Sequence, residues 1–188
     1  MKAIFGLNDV TLIDEDGSPA GKKEFILWNA PLVDPDDRGA GRTSTISETS
    51  KLLVFLINLG IRTIAFCKIR KLCDILLRSV RAELRAQQLE HLSDKVMSYR
   101  GGYTAQDRRK IEQAMFNGDL LGIIATSALE LGVDIGTLDA VLIVGFPYTI
   151  AAMVPSLLVG INSSANKVVA QDDGKRIHLQ FTLQTHSQ

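Results

Sequence analysis

Short apolar runs alternate with helical patterns through the middle of the chain. Residues 63–67, 121–125 and 140–144 are almost continuously apolar, which is typical of strands buried on both faces of a parallel sheet. Residues 72–89 place apolar side chains three and four positions apart, as in a helix with one buried face. Strands that alternate with helices predict an α/β fold, in which a parallel sheet has helices on both faces.

Two further helices are predicted from the residues at their ends. Thr45 with Glu48, and Thr104 with Asp107, have the spacing of a capping box, and a glycine follows the apolar positions of each helix. Residues 25–28 and 96–99 are shorter apolar runs that could be strands.

The amino-acid composition says less about function than the pattern of apolar positions does. The chain has 21 basic and 21 acidic residues and a net charge of zero, so a nucleic-acid site would have to be a local patch. Cys67 and Cys73 lack metal-ligand spacing and are interpreted as reduced, buried thiols. No apolar run approaches the ~20 residues of a membrane span, and the first residues do not resemble a secretion signal.

Polar residues that could bind a ligand follow the predicted strands. In an open parallel sheet, ligands bind beyond the carboxyl ends of the strands. Lys68 and Arg70 follow the first buried strand, and Thr126 and Ser127 follow the second. We therefore expect these four side chains at one edge of the sheet.

Four segments in order resemble a known family. Residues 125–136, ATSALELGVDIG, resemble motif V of superfamily 2 helicases, and residues 63–70, TIAFCKIR, resemble motif IV. Residues 99–112 resemble the segment between these motifs, and residues 145–151 resemble the lead-in to motif VI. The sequence of these segments is most similar to that of the Hrq and MrfA group of RecQ-related DNA helicases, and the resemblance covers about residues 14–153.

This resemblance implies the second RecA-like motor domain of an ATP-dependent DNA helicase that moves 3′ to 5′ and acts in DNA repair. In such a protein, ATP and Mg²⁺ lie between this domain and a first RecA-like domain, and single-stranded DNA crosses both. The implied location is nuclear in a eukaryote and cytoplasmic otherwise. Residues 1–46 would be the interdomain linker with a first strand, residues 47–153 an incomplete helicase C-terminal domain, and residues 154–188 an atypical tail.

The resemblance gives the strand-end residues a role in nucleic-acid binding. Thr126 matches the motif V threonine that contacts a phosphate, and Ser127 beside it is a further candidate, although either could simply be a helix N-cap. Arg70 and, with less support, Lys68 are candidate phosphate contacts, and the alternative is a solvated helix start.

Gly132 and Asp134 are the candidate nucleotide-binding residues. By the resemblance, Asp134 approaches the ATP ribose or the arginines of motif VI. The alternatives are a loop carboxylate held by backbone N–H groups for Asp134 and a helix C-cap for Gly132.

Two departures from the family put catalysis by this chain in doubt. No Gln-x-x-Gly-Arg-x-Gly-Arg stretch follows Met153, and the chain contains neither a GxxxxGK[ST] phosphate loop nor an Asp-Glu-x-His motif. We expect no catalytic or metal-binding residues, no ATP bound to this chain alone, and weak binding of single-stranded DNA. The sequence then represents a helicase fragment truncated before motif VI, and the alternatives are a non-catalytic nucleic-acid-binding or regulatory fragment, a truncated gene product, or an RNA helicase domain.

Overall fold

The computed structural model describes residue 6 and residues 24–126, 138–145 and 167–172. Helices and strands alternate along these residues, as the apolar pattern predicts. The strands are β1 (Glu24–Asn29), β2 (Thr63–Cys67), β3 (Val96–Tyr99), β4 (Gly122–Ala125), β5 (Ala140–Val144) and β6 (Lys167–Asp172). The helices are α1 (Thr45–Asn58), α2 (Arg70–Ala86) and α3 (Ala105–Phe116), with short 3-10 helices at Arg38–Ala40 and Glu90–Lys95.

The described strands form one six-stranded sheet in the order β1-β6-β5-β2-β4-β3. Every neighbouring pair is parallel. β2 pairs with β4 on one side and with β5 on the other, so the prediction that these three strands are adjacent and parallel is confirmed. The predicted α/β fold class is likewise confirmed.

Two apolar layers enclose the sheet. One contains residues of α1 and α2, including Leu53 and Leu76, packed on Ala65 and Leu142 of the sheet. The other contains Ile111 and Met115 of α3 with sheet residues that face the opposite way. Because both faces are covered, the side chains of β2, β4 and β5 are buried throughout, which explains their near-continuous apolar sequence.

The first helix begins differently from the prediction. Ser44, not Thr45, is its N-cap: Ser44 has an extended backbone and its side chain accepts a hydrogen bond from the Ser47 N–H. Thr45 already lies inside the helix, so the proposed Thr45–Glu48 capping box is wrong. Thr104 is confirmed as the N-cap of α3, because its side chain accepts a hydrogen bond from the Asp107 N–H. The Asp107 side chain accepts a hydrogen bond from the Thr104 hydroxyl.

β6 lies inside the sheet, between β1 and β5. It belongs to the region from residue 154 onward, where the sequence pattern predicted no definite structure. Its apolar run is only residues 168–170, which is too short for periodicity to distinguish strand from loop. The weak alternation at residues 176–183 lies outside the described residues.

Tyr99, at the end of β3, joins the sheet to α3. It is 1% exposed, and its hydroxyl donates a 2.5 Å hydrogen bond to Glu112 Oε1. Burial, reinforced by this hydrogen bond to a carboxylate, raises the pKa of Tyr99 to about 12. The phenol therefore stays protonated far above neutral pH.

We predict that Tyr99→Phe lowers the free energy of unfolding by about 1–2 kcal/mol at neutral pH, because Glu112 loses its donor. The folded-state pKa lies above the usual value of about 10, so the stabilisation is complete below pH ~10 and is lost as the pH rises toward 12. Urea unfolding at several pH values measures the difference between wild type and variant. A difference that stays constant from pH 8 to pH 12 would contradict this assignment.

Candidate nucleic-acid interface at the carboxyl edge of the sheet

The residues that directly follow four strands lie at one edge of the sheet, as two aligned pairs that are offset by one residue. Tyr99 of β3 and Phe66 of β2 both pair with Ala125 of β4, so Arg100, Thr126 and Cys67 are at the same level. Cys67 also pairs with Val144, which aligns Lys68 with Gly145. We call Arg100, Thr126, Lys68 and Gly145 the strand-end row. With neighbouring strands about 4.8 Å apart, the row spans roughly 15 Å.

Lys68 extends over the end of the neighbouring strand β5. A Cβ atom built on Gly145 would lie 3.5 Å from Lys68 Nζ and 3.4 Å from its Cε. Gly145 has a φ of 78°, a backbone conformation that suits glycine. The Lys68 ammonium group therefore lies close to the backbone of Gly145 at the edge of the sheet.

Thr126 directly follows β4 and is 8% exposed. It is flanked in register by Arg100 on one side and by Cys67 on the other. The structure thus places Thr126 in the strand-end row, as its predicted role requires. The other motif V candidates, Ser127, Gly132 and Asp134, lie outside the described residues, and their roles remain predictions.

Arg70 lies slightly apart from the row. It is the first residue of α2 and is exposed to solvent. Ile69, the N-cap of this helix, makes no side-chain capping hydrogen bond. Arg70 is therefore near the row along the chain but makes no side-chain contact with it among the described residues.

Sequence reasoning missed Arg100, which the structure places directly after β3. Its Nη1 is 2.5 Å from Asp74 Oδ2 of α2, and its guanidinium lies 5.1 Å from the centre of the Tyr103 ring. The Tyr103 hydroxyl in turn is 2.6 Å from Ser98 Oγ. These contacts hold Arg100 at the edge while about a third of its side chain, 32%, remains exposed.

The signal that could have identified Arg100 is the same strand-end rule that selected Lys68 and Thr126. The run at residues 96–99 has only four residues and includes Ser98, so its sequence predicts a strand less firmly than the central runs do. Met97 is also 39% exposed, so β3 is not buried throughout as the central strands are.

The two cysteines lie beneath the row. Both are buried free thiols, as predicted. The hydrogen bond with Cys73, together with burial, raises the pKa of Cys67 far above its usual range. Cys67 is therefore a neutral thiol that adds no negative charge near the row. Among the described residues, no group of three or more His, Cys, Asp or Glu side chains could hold a metal ion.

A parallel sheet with helices on both faces is the architecture of a RecA-like domain. The helicase conserved C-terminal domain family matches residues 45–157, and the chain belongs to that family.

Individual relatives agree with the resemblance to the Hrq and MrfA group. The chain is 54% identical to ATP-dependent helicase hrq1 of Schizosaccharomyces pombe over 151 residues, which is 80% of this chain and 14% of that protein. It is 52% identical to ATP-dependent helicase HRQ1 of Saccharomyces cerevisiae, with the same coverage. The chain thus spans about a seventh of the curated relatives it matches.

A solved structure supports the same assignment. The structure of the DUF1998 helicase MrfA bound to DNA and AMPPNP matches with a TM-score of 0.75 and 30% identity, over 88% of this chain and 22% of that one. Within the residues that the structure describes, no helix is long and apolar enough to cross a membrane.

Proposed function

We propose that this chain is the second motor domain of an ATP-dependent 3′–5′ DNA helicase and that its strand-end row forms part of the track for single-stranded DNA. The observation that carries the proposal is the position of Arg100, Thr126 and Lys68 at the same edge of the sheet, after three adjacent parallel strands, with Lys68 one residue beyond the level of the other two. The structure of MrfA, to which this chain is similar, is of a protein bound to DNA, and this supports nucleic acid as the ligand.

The chemistry of the row favours phosphate groups. Lys68 and Arg100 are hydrogen-bond donors with positive charge, and Thr126 carries a hydroxyl and a backbone N–H at the level of Arg100. Asp74, the carboxylate in contact with the row, is held by Arg100, which neutralises it locally. Arg70 at the start of α2, and Ser127 beyond the described residues, would extend the same surface.

This chain alone is not expected to bind ATP. The sequence lacks a phosphate loop, and the donor set of the row suits an anion but contains no carboxylates for Mg²⁺. The nucleotide would have to be held largely by a first RecA-like domain, with Gly132 and Asp134 of this chain forming the facing wall of the cleft. A role in DNA repair, and in a eukaryote a nuclear location, belong to the same proposal.

A non-catalytic nucleic-acid-binding or regulatory role is the second candidate function. The absence of a phosphate loop and of a motif VI arginine stretch from the sequence favours it. Both candidates need the strand-end row to bind nucleic acid. They differ in whether a first motor domain restores ATP hydrolysis.

We predict that the 188-residue chain binds a fluorescein-labelled single-stranded DNA weakly, with a shallow dependence on salt. Two or three neutralised phosphates would give a log–log slope of about −1.4 to −2.1, at about 0.7 per phosphate of a single strand. The Thr126→Ala, Lys68→Gln double variant removes one positive charge, so it should lower the slope by about 0.7 and weaken binding several-fold. Fluorescence anisotropy at several salt concentrations measures both quantities.

The control for this titration is Arg109→Gln, which removes one exposed charge from α3 that is not part of the row. It should leave the slope nearly unchanged. Tight binding with a steep slope that survives the Thr126→Ala, Lys68→Gln change would place the nucleic acid on another surface.

We also predict that the purified chain alone shows no ATP hydrolysis stimulated by single-stranded DNA, because no group in its sequence forms a phosphate loop around the γ-phosphate. A phosphate-release assay with and without DNA measures this. Stimulated turnover that disappears in the Asp134→Ala variant would show that the chain is a complete ATPase, contrary to the proposal.

A further inference from the structure

The outer face of α2 bears a line of positive charges, which we call the basic stripe. Its members are Lys71, Arg78, Arg81 and Arg85, and all four are exposed. They lie on one side of the helix, because steps of three, four and seven residues return to the same face. The opposite side is buried against the sheet through Cys73, Leu76, Val80 and Leu84.

Nearby carboxylates do not neutralise the stripe. Asp74 lies on the same face, but its side chain is paired with Arg100. Glu83 accepts a hydrogen bond from Gln87 Nε2. None of the four stripe residues forms an ion pair within the part of the chain that the structure describes. Because the whole chain has zero net charge, four positive side chains on one helix face, without ion pairs among the described residues, form a distinct local patch.

The stripe is rigid, straight and continuous with the strand-end row. From Lys71 to Arg85 the helix rises about 21 Å, at 1.5 Å per residue. Lys71 follows Arg70 at the start of α2, where the helix leaves the carboxyl edge of the sheet. The Nε of Arg78 is tied back to the Asp74 carbonyl oxygen at 3.3 Å. A ligand that leaves the row can therefore pass directly onto the stripe.

We propose that the basic stripe of α2 binds the phosphate backbone of duplex DNA, as a second nucleic-acid surface distinct from the strand-end row. Duplex DNA is favoured because it presents one negative charge per about 1.7 Å along a stiff axis, which matches a straight array of charges on a rigid helix. The stripe contains no Asn, Gln or aromatic side chain to read or stack on bases, so binding should not depend on sequence. The inference rests on the proposed function for the assignment of the two forms of DNA, in which single-stranded DNA binds the row and duplex DNA binds the stripe.

The test compares two variants of the 188-residue chain that lose the same charge. Arg81→Gln, Arg85→Gln removes two stripe residues, and Arg109→Gln, Lys110→Gln removes two exposed residues of α3. Glutamine has a helix propensity close to that of arginine and lysine, so both variants should fold, which far-UV circular dichroism and thermal melting check. Each protein is titrated by anisotropy into a labelled 20-base-pair duplex of random sequence and into a labelled single strand of equal length.

We expect the stripe variant to bind the duplex roughly tenfold more weakly near 0.1 M salt and to lower the salt slope by about 1.8, at about 0.9 per duplex phosphate. Its binding to the single strand should change less than twofold. The α3 variant should retain wild-type affinity for both ligands.

Three results would overturn the inference. Equal losses in the two variants would indicate a general charge effect, and unchanged duplex binding in the stripe variant would show a solvated helix face. Absence of duplex binding by the wild type at low salt would leave an acidic protein segment as the remaining type of occupant. A different result would contradict the proposed function, namely unchanged binding of single-stranded DNA by the Thr126→Ala, Lys68→Gln double variant.

Discussion

The pairing of β2 with β4 and β5, together with that of β4 with β3, fixes the position of every residue in the strand-end row. The parallel register of these strands is held by ladders of backbone hydrogen bonds. A shift of one residue in β2 or β5 would turn Ala65 or Leu142 away from the helix residues Leu53 and Leu76 on which they pack. The register is therefore set by packing, and the arrangement of Lys68, Thr126 and Arg100 at one edge follows from it.

The central sheet was predictable because its sequence signal is strong. Three almost continuous apolar strands and a clearly amphipathic α2 are the segments for which periodicity is most informative. The start of α1 was misplaced by one residue because Ser44, Thr45 and Ser47 are all capable of capping, and only the backbone conformation decides among them. β6 was missed because its short apolar run is supported by neighbours from distant parts of the chain.

The candidate site was predictable only in part, because some of its contacts also join distant parts of the chain. The rule that ligands bind beyond parallel strand ends identified Lys68 and Thr126 from the sequence. Arg100 required the structure, because its position depends on a long-range ion pair with Asp74 and on the Tyr103 ring. The unpaired state of the basic stripe was likewise not visible in a composition with equal numbers of acidic and basic residues.

The most direct test of the proposed interface is an NMR titration of the ¹⁵N-labelled chain with a short oligothymidine at low salt. The account predicts that the largest amide shifts occur at the carboxyl ends of the central strands, at Lys68, Arg100, Thr126 and Gly145. The amino-terminal ends of the same strands, such as Thr63 and Ala140, lie at the opposite edge and should remain unchanged. Shifts concentrated at that opposite edge, with none in the strand-end row, would contradict the account.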